Sequence, residues 1–264
     1  MKKNLLPAAL IFLSTFCFAQ NGEDCYDKFF AKGTRINNTN AITIVANKKE
    51  QTLSRFIKAN YIAMEEKMAL IDVDKDGSKE LVLHNFSGGA HCCDEFYFFK
   101  NIGLNKYELT AKLFAGNTCV SDSLFVFDVH EGFGYFYTCF ACGLEKEDKK
   151  GKPMGLEYVT SVDLRYRNGR IEAVQGNEAL KQKINKNLQY IKKLGWDGGV
   201  KEGDFDDGRR KEVALNLAVY YFSFGQNLAA TKQLFTTYYP WKDADKIWKD
   251  FVVLLSNERK NMSL

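Results

Sequence analysis

The sequence predicts an α+β fold in which an antiparallel β-meander forms the body and helices form the C-terminal third. Between residues 41 and 174, short runs rich in β-branched and aromatic residues alternate with turns such as Asp76-Gly77 and Asn168-Gly169. One strand and turn for roughly every ten residues is typical of strands joined by hairpins. Beyond Gln175 the apolar residues recur every three or four positions, which is the helical period. We therefore expect a β domain at 20–175 and a helical region at 176–264.

The first 19 residues have the three parts of an export signal. Lys2 and Lys3 give a positive start, Leu5–Phe18 is an almost uncharged apolar run, and Ala19 ends the segment with a small residue. The apolar run is shorter than the roughly 20 residues that a membrane-spanning helix needs. We expect residues 1–19 to be a cleaved signal peptide, and the mature chain to have no transmembrane segment and to be periplasmic or secreted.

The β domain contains ten predicted strands, bounded by glycine, asparagine and aspartate turns. Ser123–Val129 alternates along its length and is largely apolar on both faces, so it is predicted to be a central strand. The predicted strands are Ala41–Ala46, Tyr61–Met64, Lys67–Ile71, Glu80–Asn85, Glu95–Phe99, Tyr107–Leu113, Ser123–Val129, Gly134–Phe140, Leu156–Arg165 and Arg170–Val174.

Four helices are predicted in the C-terminal region. The first, Ala179–Leu194, places apolar residues on one face and lysines and asparagines on the other. A connector rich in glycine and aspartate then leads to Arg209–Phe224, Asn227–Tyr238 and Asp243–Asn257. Gly225 separates the first two of these three helices, and Pro240 precedes the last one.

Six cysteines remain once Cys17 leaves with the signal peptide, and an even number in an exported chain indicates disulfides. Neighbouring residues on a strand point to opposite faces, so the two adjacent cysteines need different partners, which we expect among the three that follow them. Two alternatives stay open. His91 with the adjacent cysteines could bind copper or zinc, and the Cys-x-x-Cys could be a redox motif. The disulfide candidates are Cys25, Cys92, Cys93, Cys119, Cys139 and Cys142.

The most specific motif is an acidic loop between two predicted strands. Carboxylates at alternate positions followed by Gly77 can turn several oxygens onto a hard cation, and Ca²⁺ prefers such oxygen ligands. An EF-hand is not expected, because its twelfth position is Leu83 and strands replace its helices. The alternative is an acidic turn without an ion, whose Asp side chains bond their own backbone. The predicted calcium ligands are Asp72, Asp74, Asp76, the backbone carbonyl of Ser78, and Glu80.

This loop resembles the calcium loop of FG-GAP and VCBS-type repeats, the strand–loop–strand units of integrin-like propellers. The repeats follow Asp-x-Asp-x-Asp-Gly-x-x-Asp, from which Lys75 and Glu80 depart. The Gly-Gly-Ala-His-Cys-Cys segment, Gly88–Cys93, is similar to one found in uncharacterised exported bacterial proteins. The resemblance implies calcium, an exported location and a propeller-blade-like meander, although one copy in a chain of this length does not make a propeller.

Together these features favour a non-catalytic exported protein, a binding or interaction module of the bacterial envelope whose partner is a protein or a glycan. The formal net charge is +4 and both signs are interspersed, so a nucleic-acid partner is not expected. The alternative is an envelope enzyme, either a thiol–disulfide enzyme or a hydrolase. It would use His91 with the cysteines, or a pair of carboxylates that no local motif reveals.

Overall fold

The computed structural model describes residues 22–62, 67–86, 94–115, 119–121, 123–152, 154–195 and 206–264. The predicted signal peptide at 1–19 lies outside these ranges, as do His91, Cys92 and Cys93. In the described ranges, no helix is both long and apolar enough to cross a membrane.

The larger of two sheets has seven strands, and four of them, in the second to fifth positions, form a meander. Their spatial order is β1-β4-β5-β6-β7-β2-β3. All neighbours are antiparallel except β2 and β7, which are parallel. The strands are β1 Thr34–Arg35, β2 Thr43–Ala46, β3 Lys49–Thr52, β4 Met68–Ile71, β5 Glu80–Phe86, β6 Asp94–Gly103 and β7 Lys106–Ala115.

The smaller sheet has four antiparallel strands in the order β11-β10-β9-β8. It consists of β8 Cys119–Ser121, β9 Leu124–Asp128, β10 Ser161–Arg167 and β11 Arg170–Ala173. The interior position predicted for the Ser123–Val129 run is confirmed, because β9 lies between two other strands. Neither sheet closes into a barrel over the ranges given above, and no propeller is formed there.

Seven α-helices are described, and the four longest follow the strands. Asparagine side chains cap two of them: Asn177 accepts the amide of Leu180 in α4, and Asn227 accepts that of Ala230 in α6. The helices are α1 Gly22–Phe30, α2 Leu53–Ala59, α3 His130–Phe133, α4 Glu178–Leu194, α5 Arg209–Ser223, α6 Leu228–Tyr238 and α7 Ala244–Asn261. The α+β class with a helical C-terminal part is therefore confirmed.

Strands β5 and β6 are buried on both faces, so their alternate residues enter two different cores. Phe96 and Phe98 enter a large core that also takes in helices α4–α7 and the smaller sheet. Tyr97 and Phe99 enter a smaller core under α2. Phe125 of β9 has its ring centroid 5.2 Å from that of Phe98, which joins the two sheets.

The prediction of a strand at Gly134–Phe140 is wrong. This stretch follows α3 as a series of turns, and the buried ammonium of Lys211 bonds three of its backbone carbonyls. Carbonyls that accept from a side chain need no neighbouring strand, so the segment is satisfied without a sheet. The predicted strand Leu156–Arg165 is also too long, because β10 begins only at Ser161.

Candidate metal centre

The acidic loop is the connection between β4 and β5, as the sequence predicts. Ile71 at the end of β4 pairs directly with Glu80 at the start of β5, so the intervening residues form a hairpin loop. Glu80 is only 2% exposed. The strand pairing therefore fixes one buried carboxylate at the base of the loop that carries the aspartates.

Three of the predicted ligands come together. One carboxylate oxygen from each of Asp72, Asp74 and Glu80 lies within 4.8 Å of the other two. Over the part of the chain that the structure describes, no other set of three acidic, histidine or cysteine side chains meets this criterion. Such spacing allows a single cation to contact all three oxygens.

Backbone amides hold the loop in its curved form. Asp72 accepts the amides of Asp76 at 3.0 Å and Gly77 at 3.1 Å, and Asp76 accepts the amide of Ser78 at 2.7 Å. Gly77 has a φ of +91°, a conformation that a residue with a Cβ would resist. Asp76 does not belong to the group of three. Its carboxylate instead stabilises the turn, because it accepts the amide of Ser78.

Asp74 has one carboxylate oxygen that is bonded and one that is not. Oδ2 accepts the amide of Asn168 at 2.8 Å, from the turn between β10 and β11. Oδ1 is buried and has no hydrogen-bond donor among the residues described. A buried carboxylate oxygen without a donor is costly, and a cation or a water molecule bound to it would remove this cost.

The carboxyl group of Glu80 is also in a costly position. Burial raises its pKa to about 7, and the negative charges of Asp74 and Asp76 add to the rise. The amide of Val73, 3.0 Å from Oε2, acts in the opposite direction. A divalent cation between the three carboxylates would compensate this negative charge, and a hard cation such as Ca²⁺ or Mg²⁺ suits a set of oxygen ligands.

The cysteines follow a different pairing from the one predicted. Cys139 and Cys142 form a disulfide with a Cα–Cα distance of 5.0 Å, and Cys25 is also disulfide-bonded. Two of the three partners expected for Cys92 and Cys93 are therefore bonded to each other, and that expectation is wrong. Cys139 and Cys142 lie in a series of turns, which brings these residues, three apart in the sequence, within disulfide distance.

One buried polar cluster was not predicted from the sequence. It is a triad that includes Tyr26 of α1. The carboxylate of Asp94 lies 2.7 Å from His84 Nε2 and accepts the hydroxyl of Tyr26 at 2.9 Å. All three residues are buried. Tyr26 is 68 positions from Asp94, so no local spacing points to the contact. The triad ties α1 to β5 and β6, which is a structural role.

Comparisons with protein-family models, with curated proteins and with solved structures give no match for this chain.

Proposed function

We propose that this protein is an exported binding module of the bacterial envelope, with a structural calcium ion in the β4–β5 loop. One observation carries the calcium assignment, namely the buried Asp74 Oδ1 that has no donor among the described residues. It belongs to a group of three carboxylates whose oxygens lie close enough to share one ion. In the alternative, an acidic turn without an ion, the aspartates bond only backbone amides, which leaves this oxygen unexplained.

The ion would join two parts of the fold. Asp74 contacts the β10–β11 turn through the amide of Asn168, while Glu80 begins β5 of the larger sheet. Calcium bound to both carboxylates would therefore stiffen the junction between the two sheets. Backbone carbonyls and water would supply the remaining ligands, since Ca²⁺ takes about six to eight oxygens. The exposed side chain of Lys75 can point to solvent.

The wider function rests on the sequence. The signal-like segment at 1–19 supports export, and the resemblance of the loop to FG-GAP and VCBS-type repeats supports a binding role. The meander of β4, β5, β6 and β7 has the strand number and order of one propeller blade, and this supports the blade-like interpretation. A protein or glycan is the partner that such a module would bind.

The calcium assignment is tested by thermal unfolding with and without the ion. Calcium at ten times its Kd should stabilise the wild-type protein by about 1.4 kcal/mol, which raises the Tm by roughly 3–6 °C for a chain of this size. Asp74→Asn should abolish this rise, because the isosteric amide keeps an acceptor for Asn168 and replaces the charged oxygen. Differential scanning calorimetry measures both values.

Asp148→Asn is the matched control. Asp148 also bonds backbone amides in a turn, those of Lys150 and Lys152, but it is not in a group of three carboxylates. Its variant should keep the full calcium response. An equal response in the Asp74 and Asp148 variants, or no response in the wild type, contradicts the assignment.

A further inference from the structure

The Cys139-Phe140-Ala141-Cys142 loop presents a disulfide at the surface. Cys142 is exposed and Cys139 is half-buried. The amide of Cys142 points at Cys139 Sγ, with an N–S distance of 3.0 Å. Cys142 lines two clefts, one of about 450 Å³ and one of about 770 Å³. An extended peptide could therefore approach this sulfur.

A buried lysine lies directly beneath the loop. Lys211 is 2% exposed, and its Nζ donates to the carbonyls of Gly134 at 3.2 Å, Cys139 at 3.1 Å and Phe140 at 2.9 Å. No described carboxylate forms an ion pair with it. Burial lowers the pKa of Lys211, and the negative charges of Glu212 and Asp206 oppose this shift. Burying an ammonium whose hydrogen bonds go only to neutral carbonyls is costly to the fold.

The N-terminus of α5 meets the same loop. A Cβ on Gly208, the N-cap residue of α5, would lie 2.4 Å from the Leu144 nitrogen and 2.5 Å from the Gly143 carbonyl carbon. The backbone of the helix start is thus packed against the residues that follow Cys142. Helix N-termini carry partial positive charge, and here the carboxylates of Asp206 and Asp207 accept the amides of the helix start, while Glu212 lies in its first turn. Lys211 is therefore the group through which α5 brings positive charge to the disulfide loop, and these acids oppose it.

We propose that the Cys139–Cys142 disulfide is a thiol-oxidising site that accepts electrons from exposed dithiols of other proteins. Positive charge near a cysteine favours its thiolate, and a sulfur that is stable as a thiolate is a good leaving group. Two features supply that charge or its equivalent at Cys139: the Cys142 amide, which points at its sulfur, and the Lys211 ammonium, which donates to its carbonyl. The more exposed Cys142 is the sulfur that an incoming thiolate can reach.

The proposed oxidation consists of two thiol–disulfide exchange steps. A substrate thiolate attacks Cys142 Sγ, a mixed disulfide forms, the Cys139–Cys142 bond breaks, and its electron pair leaves on Cys139 as a thiolate. The second substrate thiol, once deprotonated, attacks the substrate sulfur of the mixed disulfide and releases Cys142 as a thiolate. The substrate dithiol is thereby oxidised to a disulfide, and the protein disulfide is reduced to a dithiol by the same two electrons.

The first test measures the acidity of the reduced pair. The full-length protein is reduced, and the rate at which iodoacetamide alkylates Cys139 is followed against pH by mass spectrometry. The pKa of Cys139 should lie at least about one unit below the usual 8.5 or so of a free thiol. Lys211→Met should raise it by about one unit, which lowers alkylation at pH 7 roughly tenfold. Lys149→Met, which removes an exposed lysine from the loop that follows, should leave the pKa unchanged.

The second test measures electron transfer. Oxidised wild-type protein is mixed with a reduced peptide that contains two cysteines, and the peptide disulfide is quantified. About one equivalent should form with the wild type and none with Cys142→Ser. A wild-type Cys139 pKa at or above 8.5, or equal peptide oxidation by wild type and Cys142→Ser, overturns the proposal. These wild-type measurements decide the question even if the Lys211 variant does not fold.

Discussion

Glu80→Gln should make the calcium-free protein more stable at pH 8, by roughly 2–3 kcal/mol. The substitution keeps an oxygen that can accept the amide of Val73, and it removes a buried negative charge near Asp74 and Asp76. The same variant should lose the stabilisation by calcium, because a neutral amide is a poor substitute for a carboxylate ligand.

The gain should depend on pH in a defined direction. The pKa of Glu80 is raised from 4.5 to about 7 in the folded chain, so between these values the native state holds a proton that the unfolded state has released. Wild-type stability without calcium therefore falls as the pH rises through this window, and is lowest above pH 7. The advantage of Glu80→Gln should be complete above pH 7 and vanish below about pH 4.5.

Urea unfolding in a calcium chelator at pH 8 and at pH 4.5 measures this advantage. Glu172→Gln is the matched control, because Glu172 is an exposed glutamate on β11. It should change the free energy of unfolding by less than about 0.5 kcal/mol at either pH. A Glu80→Gln protein that is less stable than wild type at pH 8 without calcium would show that its carboxylate is not under electrostatic strain.

Phe125→Ala should destabilise the protein by about 3–5 kcal/mol. Its ring is fully buried between the sheets, with centroid distances of 5.2 Å to Phe98, 5.7 Å to Phe96 and 5.7 Å to Phe29. These are edge-to-face contacts, so the substitution removes both buried apolar area and specific ring packing. A cavity would remain at the place where β9, β6 and α1 meet.

Equilibrium unfolding in urea measures this loss as a lower midpoint. Leu104→Ala provides the control, since Leu104 lies in the turn after β6 and is 96% exposed. That variant should stay within about 0.5 kcal/mol of the wild type. If Phe125→Ala costs less than about 1 kcal/mol, the two sheets do not share the core described here.

Local patterns in the sequence were sufficient to predict the four C-terminal helices and most strands. The prediction of Ala179–Leu194 differs from α4 by one residue, because apolar period and capping by Asn177 agree. The short helix α2 was not predicted, since seven residues give too little periodicity. The parallel pairing of β2 with β7 could not be predicted either, because no turn or spacing indicates a contact between strands so far apart in the sequence.

The candidate site could likewise be predicted only in its local part. Alternate spacing and Gly77 predicted that the loop would gather Asp72, Asp74 and Glu80, and the structure brings all three together. The contact between Asp74 and Asn168 spans 94 positions and has no local signal. Lys211 is likewise 72 positions from Cys139, so the Cys-x-x-Cys motif alone could not reveal the charge beneath it.

Isothermal titration of the wild-type protein with calcium at physiological ionic strength tests the central claim most directly. We expect one site with a Kd between about 10⁻⁵ and 10⁻³ M, the range of moderate to weak protein calcium sites. Asp74→Asn should show no binding heat under the same conditions. Wild-type protein that gives no binding heat at calcium concentrations of roughly 10 mM, or an Asp74→Asn protein that binds equally well, would contradict the claim that an ion joins these carboxylates.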